Sequence, residues 1–474
     1  MNYAVILAGG AGSRFWPFSR ELEPKQFMRI TQKETLIEST IGRLKNIIPP
    51  ENIYLMTNCI HAYELKEQIR KFRIPEENII LEPEGKNTAP AIGLSARLIE
   101  QRDKHAVIIV LPADHYIKNL GGFKNCLKKA AACAKDGFLV TVGIPPKGPS
   151  TGYGYIKVCP QANSRPSSNL TKLAGNTGYF KVKKFLEKPN LDKAKRYFKD
   201  KTFFWNSGIF VWKASVLLGE LKSYLPELYS HLISINIKDD IDKIWPKIKP
   251  ISIDYGVMEY SKKIVLIPAD FDWTDLGSWD TLNNVLPKDT SGNILHADCL
   301  DLGSRKTCVF SRSNRLIATI GLEDLIIADT PDALLVCNRH KAQEVKKIVD
   351  QLKLSHRKEH LTHTTEKRPW GRYTVLQSGM GFKIKLIEIE PRKRLSLQRH
   401  KNRAEHWIVV SGCALITNSD KVTRVYSNQS IYIPKGTKHR LENPANLPLQ
   451  IVEVQTGNYL EEDDIERFDD DFKR

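Results

Sequence analysis

The stretch Tyr3-Ala4-Val5-Ile6-Leu7-Ala8-Gly9-Gly10-Ala11-Gly12-Ser13-Arg14 decides how the first half of this 474-residue chain is read. Residues 3–8 form a short apolar run of the kind that becomes a buried strand, and it ends at once in glycines. Glycines after a strand let backbone N–H groups approach phosphate oxygens with no Cβ in the way. Spacing excludes two phosphate loops. A dinucleotide fingerprint starting at Gly10 would need a glycine where Phe15 stands, and no Gly-Lys-Ser/Thr follows to make a P-loop. Arg14, and Lys25 in Pro24-Lys25-Gln26-Phe27, supply two cations for a polyphosphate.

Working outward, similar runs recur at 52–57 (NIYLMT), 106–111 (AVIIVL) and 138–144 (FLVTVGI). Helix-length segments such as 36–44 and 123–134 separate them, which predicts a doubly wound α/β fold on a largely parallel sheet. Such sheets collect ligands at the carboxyl ends of their strands. Asp114 closes the run AVIIVL, and Asp275 lies in Trp273-Thr274-Asp275-Leu276-Gly277-Ser278-Trp279. Two carboxylates from distant segments can share a Mg2+ that bridges phosphate oxygens. From about 290 to 340 the texture turns to short β-like pieces, residues 341–352 look helical, and the polar stretch 355–369 reads as a linker. After Trp370 close-spaced apolar runs predict an all-β barrel or sandwich.

Composition bounds the function classes. With 41% hydrophobic and 27% charged residues the chain is of soluble globular type. Its opening run is too short for a secretory h-region, and no apolar stretch approaches the ~20 residues of a membrane span, so a cytoplasmic protein with no membrane partner is expected. The eight cysteines form no C-x-x-C pair and read as reduced thiols. The net charge of +18 is spread along the chain, with no compact basic-aromatic motif. That pattern excludes nucleic acid as a partner and suits anionic small molecules.

Nine segments carry a resemblance: LAGGAGSRFWPFSR (7–20), EPKQF (23–27), EPEGKNTAPA (82–91), LPADH (111–115), GYGYI (152–156), FLEKP (185–189), NSGIF (206–210), IDYGVME (253–259) and WTDLGSW (273–279). In this order over the first 285 residues they resemble the mannose-1-phosphate guanylyltransferase family, within the nucleoside-diphosphate-sugar pyrophosphorylases. The resemblance implies that Leu7, Gly9, Gly10, Gly12, Ser13 and Arg14 embrace the phosphates of GTP, while Lys25 neutralises charge at the reacting phosphate. It places Glu84, Asn87 and Thr88 with the guanine nucleotide. Gly154, Glu187, Lys188 and Asn206 fall with mannose 1-phosphate, and Asp114 and Asp275 with Mg2+. Arg14, Lys25, Asp114 and Asp275 are then the catalytic set. In such a reaction the sugar phosphate oxygen attacks the α-phosphorus and pyrophosphate leaves, so positioning and charge stabilisation carry the rate.

A second constellation lies in QRHKNRAEHW (398–407) and PKGTKHRLEN (434–443). These resemble the paired cupin motifs, and the longer segment to the C-terminus resembles the type II phosphomannose isomerase domain. His400, Glu405 and His439 are the implied ligands of a divalent transition metal, Zn2+ or Co2+. The family's usual histidines at positions 401 and 402 are here Lys401 and Asn402, which leaves three ligands. Arg403 and Arg440 are candidates to hold the phosphate of mannose 6-phosphate or fructose 6-phosphate.

The expected fold class is therefore α/β. A Rossmann-like doubly wound nucleotidyltransferase domain (1–285) is followed by a β-rich connecting domain (286–353), a linker (354–369) and an all-β cupin barrel (370–474). The resemblance implies a homo-oligomer, a dimer, making GDP-mannose and also isomerising mannose 6-phosphate. The alternatives are a guanylyltransferase whose cupin is inert, and a sugar-nucleotide-binding regulator. The second is disfavoured by the complete Arg14, Lys25, Asp114 and Asp275 set.

Overall fold

Alternation along the first apolar run divides it between two cores. Tyr3 and Val5 belong to the cluster on one face of a sheet, and Ala4 and Ile6 to the cluster on the other. A strand buried on both faces has to be apolar at every position, which is why residues 3–8 show no polar alternation. The computed structural model describes residues 1–10, 12–30, 34–159, 178–235 and 240–471. They form two units, Met1–Thr330 with Leu334–His360, and Leu361–Arg474 with Pro331–Ala333.

In the first unit the strands are β1 (Asn2–Leu7), β2 (Ile53–Asn58), β3 (Ile79–Glu82), β4 (Val107–Pro112), β5 (Tyr116–Ile117) and β6 (Leu139–Ile144). They are followed by β7 (Tyr155–Val158), β8 (Phe180–Leu186), β9 (Phe203–Lys213), β10 (Ile264–Pro268) and β11 (Trp273–Thr274). Nine of them make one sheet in the order β3-β2-β1-β4-β9-β6-β10-β8-β7. The order β3-β2-β1-β4 is parallel, as expected of a doubly wound half. The rest corrects the expectation of a largely parallel sheet: β9 inserts antiparallel between β4 and β6. The chain reaches β9 from the antiparallel pair β7–β8 and needs no crossover between parallel strands.

Covering helices start where their caps say. Thr35 and Glu38 form a reciprocal capping box at Leu36–Arg43, and Asn119 caps Leu120–Lys135. The short ribbon β5–β11 pairs Thr274 with Tyr116. It thereby draws Asp275, just after β11, towards Asp114, just before β5.

Residues 294–338 add two small sheets: parallel Ile294–His296, Cys308–Ser311 and Leu325–Asp329 closed by antiparallel Leu334–Asn338, and the parallel pair Cys299–Leu302 and Ile317–Ile320. The helix Val345–Leu354 follows, and the chain then returns to the loop after the glycines. Trp16 Nε1 donates to the Glu359 carbonyl at 2.8 Å, and Glu21 N to the His360 carbonyl at 3.0 Å. Part of the stretch read as a linker thus packs within the first unit, and Thr365–Arg368 is a strand of the second.

The second unit is a six-stranded and a five-stranded antiparallel sheet around a core that includes Ile389, Trp407, Ile416 and Leu441. Among the described residues no helix is long and apolar enough to cross a membrane.

Candidate active site

The glycine loop leaves β1 with its base fixed. Gln26 Nε2 and Thr57 Oγ1 both donate to the Ala8 carbonyl, and Ala113 N donates to that of Leu7. The three glycines then differ. Gly12 sits at φ +64°, and a Cβ there would lie 2.4 Å from Lys25 Cβ. Gly10 has nothing within 4 Å of such a Cβ, so its backbone stays open to a ligand. At Gly9 the neighbour is Glu82 Oε2, 3.6 Å from the Cβ position. Ser13 begins a short helical turn, and Arg14 within it lines a cleft of about 730 Å³.

Lys25 is the hub. Its buried ammonium pairs with Asp114 Oδ2 at 2.8 Å and donates to the Asp275 and Leu276 carbonyls, each at 2.8 Å. One cation therefore ties together the glycine loop, the end of β4 and the segment after β11. Burial would raise the Asp114 carboxyl, but Lys25 outweighs it and holds that carboxyl below the ordinary value. Burial drives neighbouring His115 down to about 4, so it is neutral and accepts from Trp273 Nε1 at 3.2 Å. Asp275 Oδ1 accepts from Tyr153 Oη at 2.8 Å and from Gly277 N at 3.1 Å. These bonds leave Asp275 Oδ2 uncommitted among the described residues. Two hard carboxylates beside an open glycine loop suit a Mg2+ that keeps water and phosphate oxygens among its ligands.

Of the residues expected at the nucleotide, Glu84 is exposed and paired with Lys86. Asn87, at φ +68°, caps the helix Thr88–Arg102, and Thr88 Oγ1 accepts from Ile253 N. Asn87 and Thr88 thus shape the loop through capping and packing, and the carboxylate turned to the glycines is Glu82. It is buried, its Oε1 has no hydrogen-bond partner, and burial pushes it up to about 7. The sequence quoted Glu82 at the head of EPEGKNTAPA but gave it no role. Its signal is an acidic residue at the very end of an apolar strand.

The expected sugar-phosphate residues do converge. A Cβ on Gly154 would fall 2.3 Å from Glu187 Oε1, and the Gly154 carbonyl accepts from Asn206 N at 2.8 Å. Lys188 Nζ lies 3.5 Å from Glu187 Oε2. Asn206 Nδ2 donates to Asp254 Oδ1 at 2.9 Å, and burial, with Glu187 nearby, raises Asp254 to about 6. Asp254 was quoted within IDYGVME without a role and joins the cluster through a π-helical turn at 254–258. Tyr153 links this cluster to the cationic hub: its hydroxyl bonds Asp275 and its chain neighbour is Gly154.

In the second unit His400 and His439 flank Glu405, with Nε2···Oε1 at 3.1 Å and Nε2···Oε2 at 3.6 Å. All three are buried, and their ligand atoms lie within 4.8 Å of one another. His439 Nδ1 faces the Thr437 carbonyl at 2.9 Å, while its Nε2 has no hydrogen-bond partner. An imidazole oriented by a carbonyl, with a lone pair aimed at a carboxylate and a second imidazole, fits a divalent transition metal. Asn402 stands apart from this trio and donates to Asp464 Oδ1 at 2.8 Å. Arg403 faces inward, 3.2 Å from Glu405 Oε1. Arg440 does not join it. Strand alternation turns it away from its neighbours His439 and Leu441, and Asp469 holds it outside. Glu453, missed in the sequence, is buried between Trp407 Nε1 and Gln455 Nε2, and burial together with Glu405 raises its carboxyl.

A glycine loop, a lysine and two aspartates at the carboxyl ends of such a sheet define a nucleotidyl transferase, with an isomerase-type barrel after it. Residues 3–292 match the family model described as nucleotidyl transferase. Residues 302–352 match the MannoseP isomerase/GMP-like beta-helix domain, and 355–470 the mannose-6-phosphate isomerase C-terminal domain. The chain is 39% identical to mannose-1-phosphate guanylyltransferase ManC of Salmonella typhimurium, covering all of this chain (100%) and 98% of the relative. It is equally 39% identical to xanthan biosynthesis protein XanB of Xanthomonas campestris, over 99% of this chain and 98% of the relative. A solved structure described as mannose-1-phosphate geranyltransferase from Thermus thermophilus aligns at TM-score 0.65 and 29% identity, over 74% of this chain and 99% of that one. The chain belongs to the mannose-1-phosphate guanylyltransferase family, in its form fused to an isomerase-type C-terminal domain.

Proposed function

We propose that the first unit makes GDP-mannose and pyrophosphate from GTP and mannose 1-phosphate. The observation that carries this reading is Lys25, whose stem packs on Gly12 while its ammonium pairs with the Asp114 carboxylate and bonds the Asp275 carbonyl. In the reading, Gly9, Gly10 and Gly12 present backbone N–H groups to the triphosphate, and Arg14 and Lys25 balance its charge. Glu187, Asn206 and Asp254 hold mannose hydroxyls so that the sugar phosphate oxygen faces the α-phosphorus in line. Asp114 and Asp275 would hold Mg2+, which when bound offsets charge on the reacting phosphate and on the departing pyrophosphate. No step needs a nucleophilic side chain.

Asp114→Ala and Asp275→Ala test it. Each is expected to lower kcat for GDP-mannose formation by about 10²-fold or more. Circular dichroism should stay unchanged, because Lys25 keeps its two carbonyl partners. Unaltered turnover in both variants would remove the two-carboxylate metal site.

A second activity is favoured by the buried His400–Glu405–His439 trio: isomerisation of mannose 6-phosphate to fructose 6-phosphate in the barrel. A divalent ion such as Zn2+ or Co2+ there would take up negative charge as a proton moves between C1 and C2. Formation of fructose 6-phosphate that is lost in Glu405→Gln is the expected result. Its absence at every metal tried leaves the barrel a structural appendage.

A further inference from the structure

Three cations line the cavity inside the barrel, each held by a carboxylate of the same chain: Lys385 by Glu462, Arg368 by Glu366 at 2.6 Å, and Arg403 by Glu405. Lys385 faces inward from the strand Phe382–Ile389, directly opposite Glu453, and is almost fully buried. A buried lysine is stable only with a partner. Its Nζ lies 2.8 Å from Glu462 Oε1 and 4.5 Å from the centre of the Tyr373 ring. Arg403, 2% exposed, donates from Nη1 to the Glu461 carbonyl at 3.0 Å, while its Nε faces Glu405. Arg368 lies over the same Tyr373 ring at 5.4 Å. Burial works against the Glu462 charge, yet Lys385, Arg403 and Arg368 together hold its carboxyl down to about 2.

Glu462 lines this cavity and is nevertheless 44% exposed, so it stands on the solvent side. It sits on the turn Glu462–Asp464, which Asp464 anchors to the Lys401 and Asn402 backbone and to the Asn402 side chain. Behind it the cavity measures about 50 Å³. At roughly 10–15 Å³ per water that space holds a few waters, whereas sites for small organic ligands run to about 300 Å³ and more. A ligand of sugar size therefore does not fit this cavity as it stands, and displacing Glu462 would enlarge it on the solvent side.

We propose that Lys385, Arg403 and Arg368 form a phosphomonoester site for a sugar phosphate in the barrel, with Glu462 as the resident anion that the phosphate displaces. The choice of a sugar phosphate rests on the isomerase reading above; the anion chemistry rests on the cations themselves. Two guanidinium groups and an ammonium suit a doubly charged, three-oxygen phosphate better than a single carboxylate. Asn402, in place of a metal-binding histidine, anchors the turn that carries the competitor.

The test is a calorimetric titration of the full-length protein with mannose 6-phosphate. Glu462→Gln, which keeps a side-chain oxygen for Lys385 but removes the charge, is expected to tighten binding about threefold or more by weakening the competing state. Lys385→Met is expected to weaken it about tenfold. Unchanged affinity in Glu462→Gln, or weaker binding, overturns the proposal whether or not Lys385→Met folds. Inorganic phosphate should bind the same cations more weakly than the sugar phosphate, and equal affinity overturns the assignment to a sugar phosphate. Turnover is read separately. The expected binding shifts without isomerisation would uphold this site and remove the isomerase reading. Isomerisation with one KM for all three proteins would remove the site and leave that reading in place.

Discussion

Two neighbouring glycines should answer substitution in opposite ways. At Gly12 an alanine meets two costs. Its φ of +64° is left-handed, worth about 1–2 kcal/mol against an L-residue. Its Cβ would also lie 2.4 Å from Lys25 Cβ, and relieving an overlap of that kind costs about 1–3 kcal/mol. Gly12→Ala should therefore lose about 2–5 kcal/mol in urea unfolding of the first unit. Any relief displaces the Lys25 stem, and an error of about 1 Å in a positioning group can cost 10²-fold in rate. At Gly10 nothing lies within 4 Å of an added Cβ, and the backbone is outside the left-handed region. Gly10→Ala should leave stability within about 0.5 kcal/mol of the parent. The new methyl occupies the space reserved for phosphate, so KM for GTP should rise about tenfold or more, a loss of about 1.4 kcal/mol. The assay is initial-rate GDP-mannose formation with GTP varied, beside the unfolding curves. Parent-like KM for GTP in Gly10→Ala would refute the phosphate-cradle reasoning, and parent-like stability in Gly12→Ala would refute the steric one.

Two further expectations concern Glu82 and the end of the first unit. Burial raises the Glu82 carboxyl from 4.5 to about 7, so the folded state binds this proton more tightly than the unfolded one. Its contribution is present below about pH 4.5 and is lost as pH rises through about 7, some 3 kcal/mol in all. Glu82→Gln should flatten that part of the Tm profile between pH 5 and 8, and equal slopes in the two proteins would contradict it. Truncation after His360 should leave guanylyltransferase activity. Truncation after Glu344 should abolish it, because Glu359 and His360 then no longer hold Trp16 and Glu21; equal activity of the two truncations would show that this clamp is dispensable.

Much of the first unit was readable because strands buried on both faces must be continuously apolar, and because the glycines, Asp114 and Asp275 lie just after strands. The antiparallel entry of β9 was hidden, since its run FFWNSGIFVWK is interrupted by Asn206, Ser207 and Gly208, which read as a break. Glu82 and Asp254 escaped notice for one reason: a carboxylate in a sequence reads as surface until packing shows it enclosed. In the barrel, alternation settles Arg440 against a place beside His439, a test that the motif alone does not apply. It does not settle Lys385, because FKIKLIEI is apolar on both faces, with Ile384 and Leu386 on one and Ile387 and Ile389 on the other. Glu462 lies in an acidic tail whose pairing with Lys385 joins residues 77 apart in the chain.

The central claim is tested most directly by incubating the full-length protein with Mg2+, GTP and mannose 1-phosphate and separating the products by chromatography. GDP-mannose and pyrophosphate in equal amounts are expected. Turnover of other nucleotides or sugar phosphates in their place would keep the fold and the reaction type but contradict the substrate assignment. A folded protein that turns over none of them would contradict the account of Lys25, Asp114 and Asp275 as a nucleotidyl transfer site.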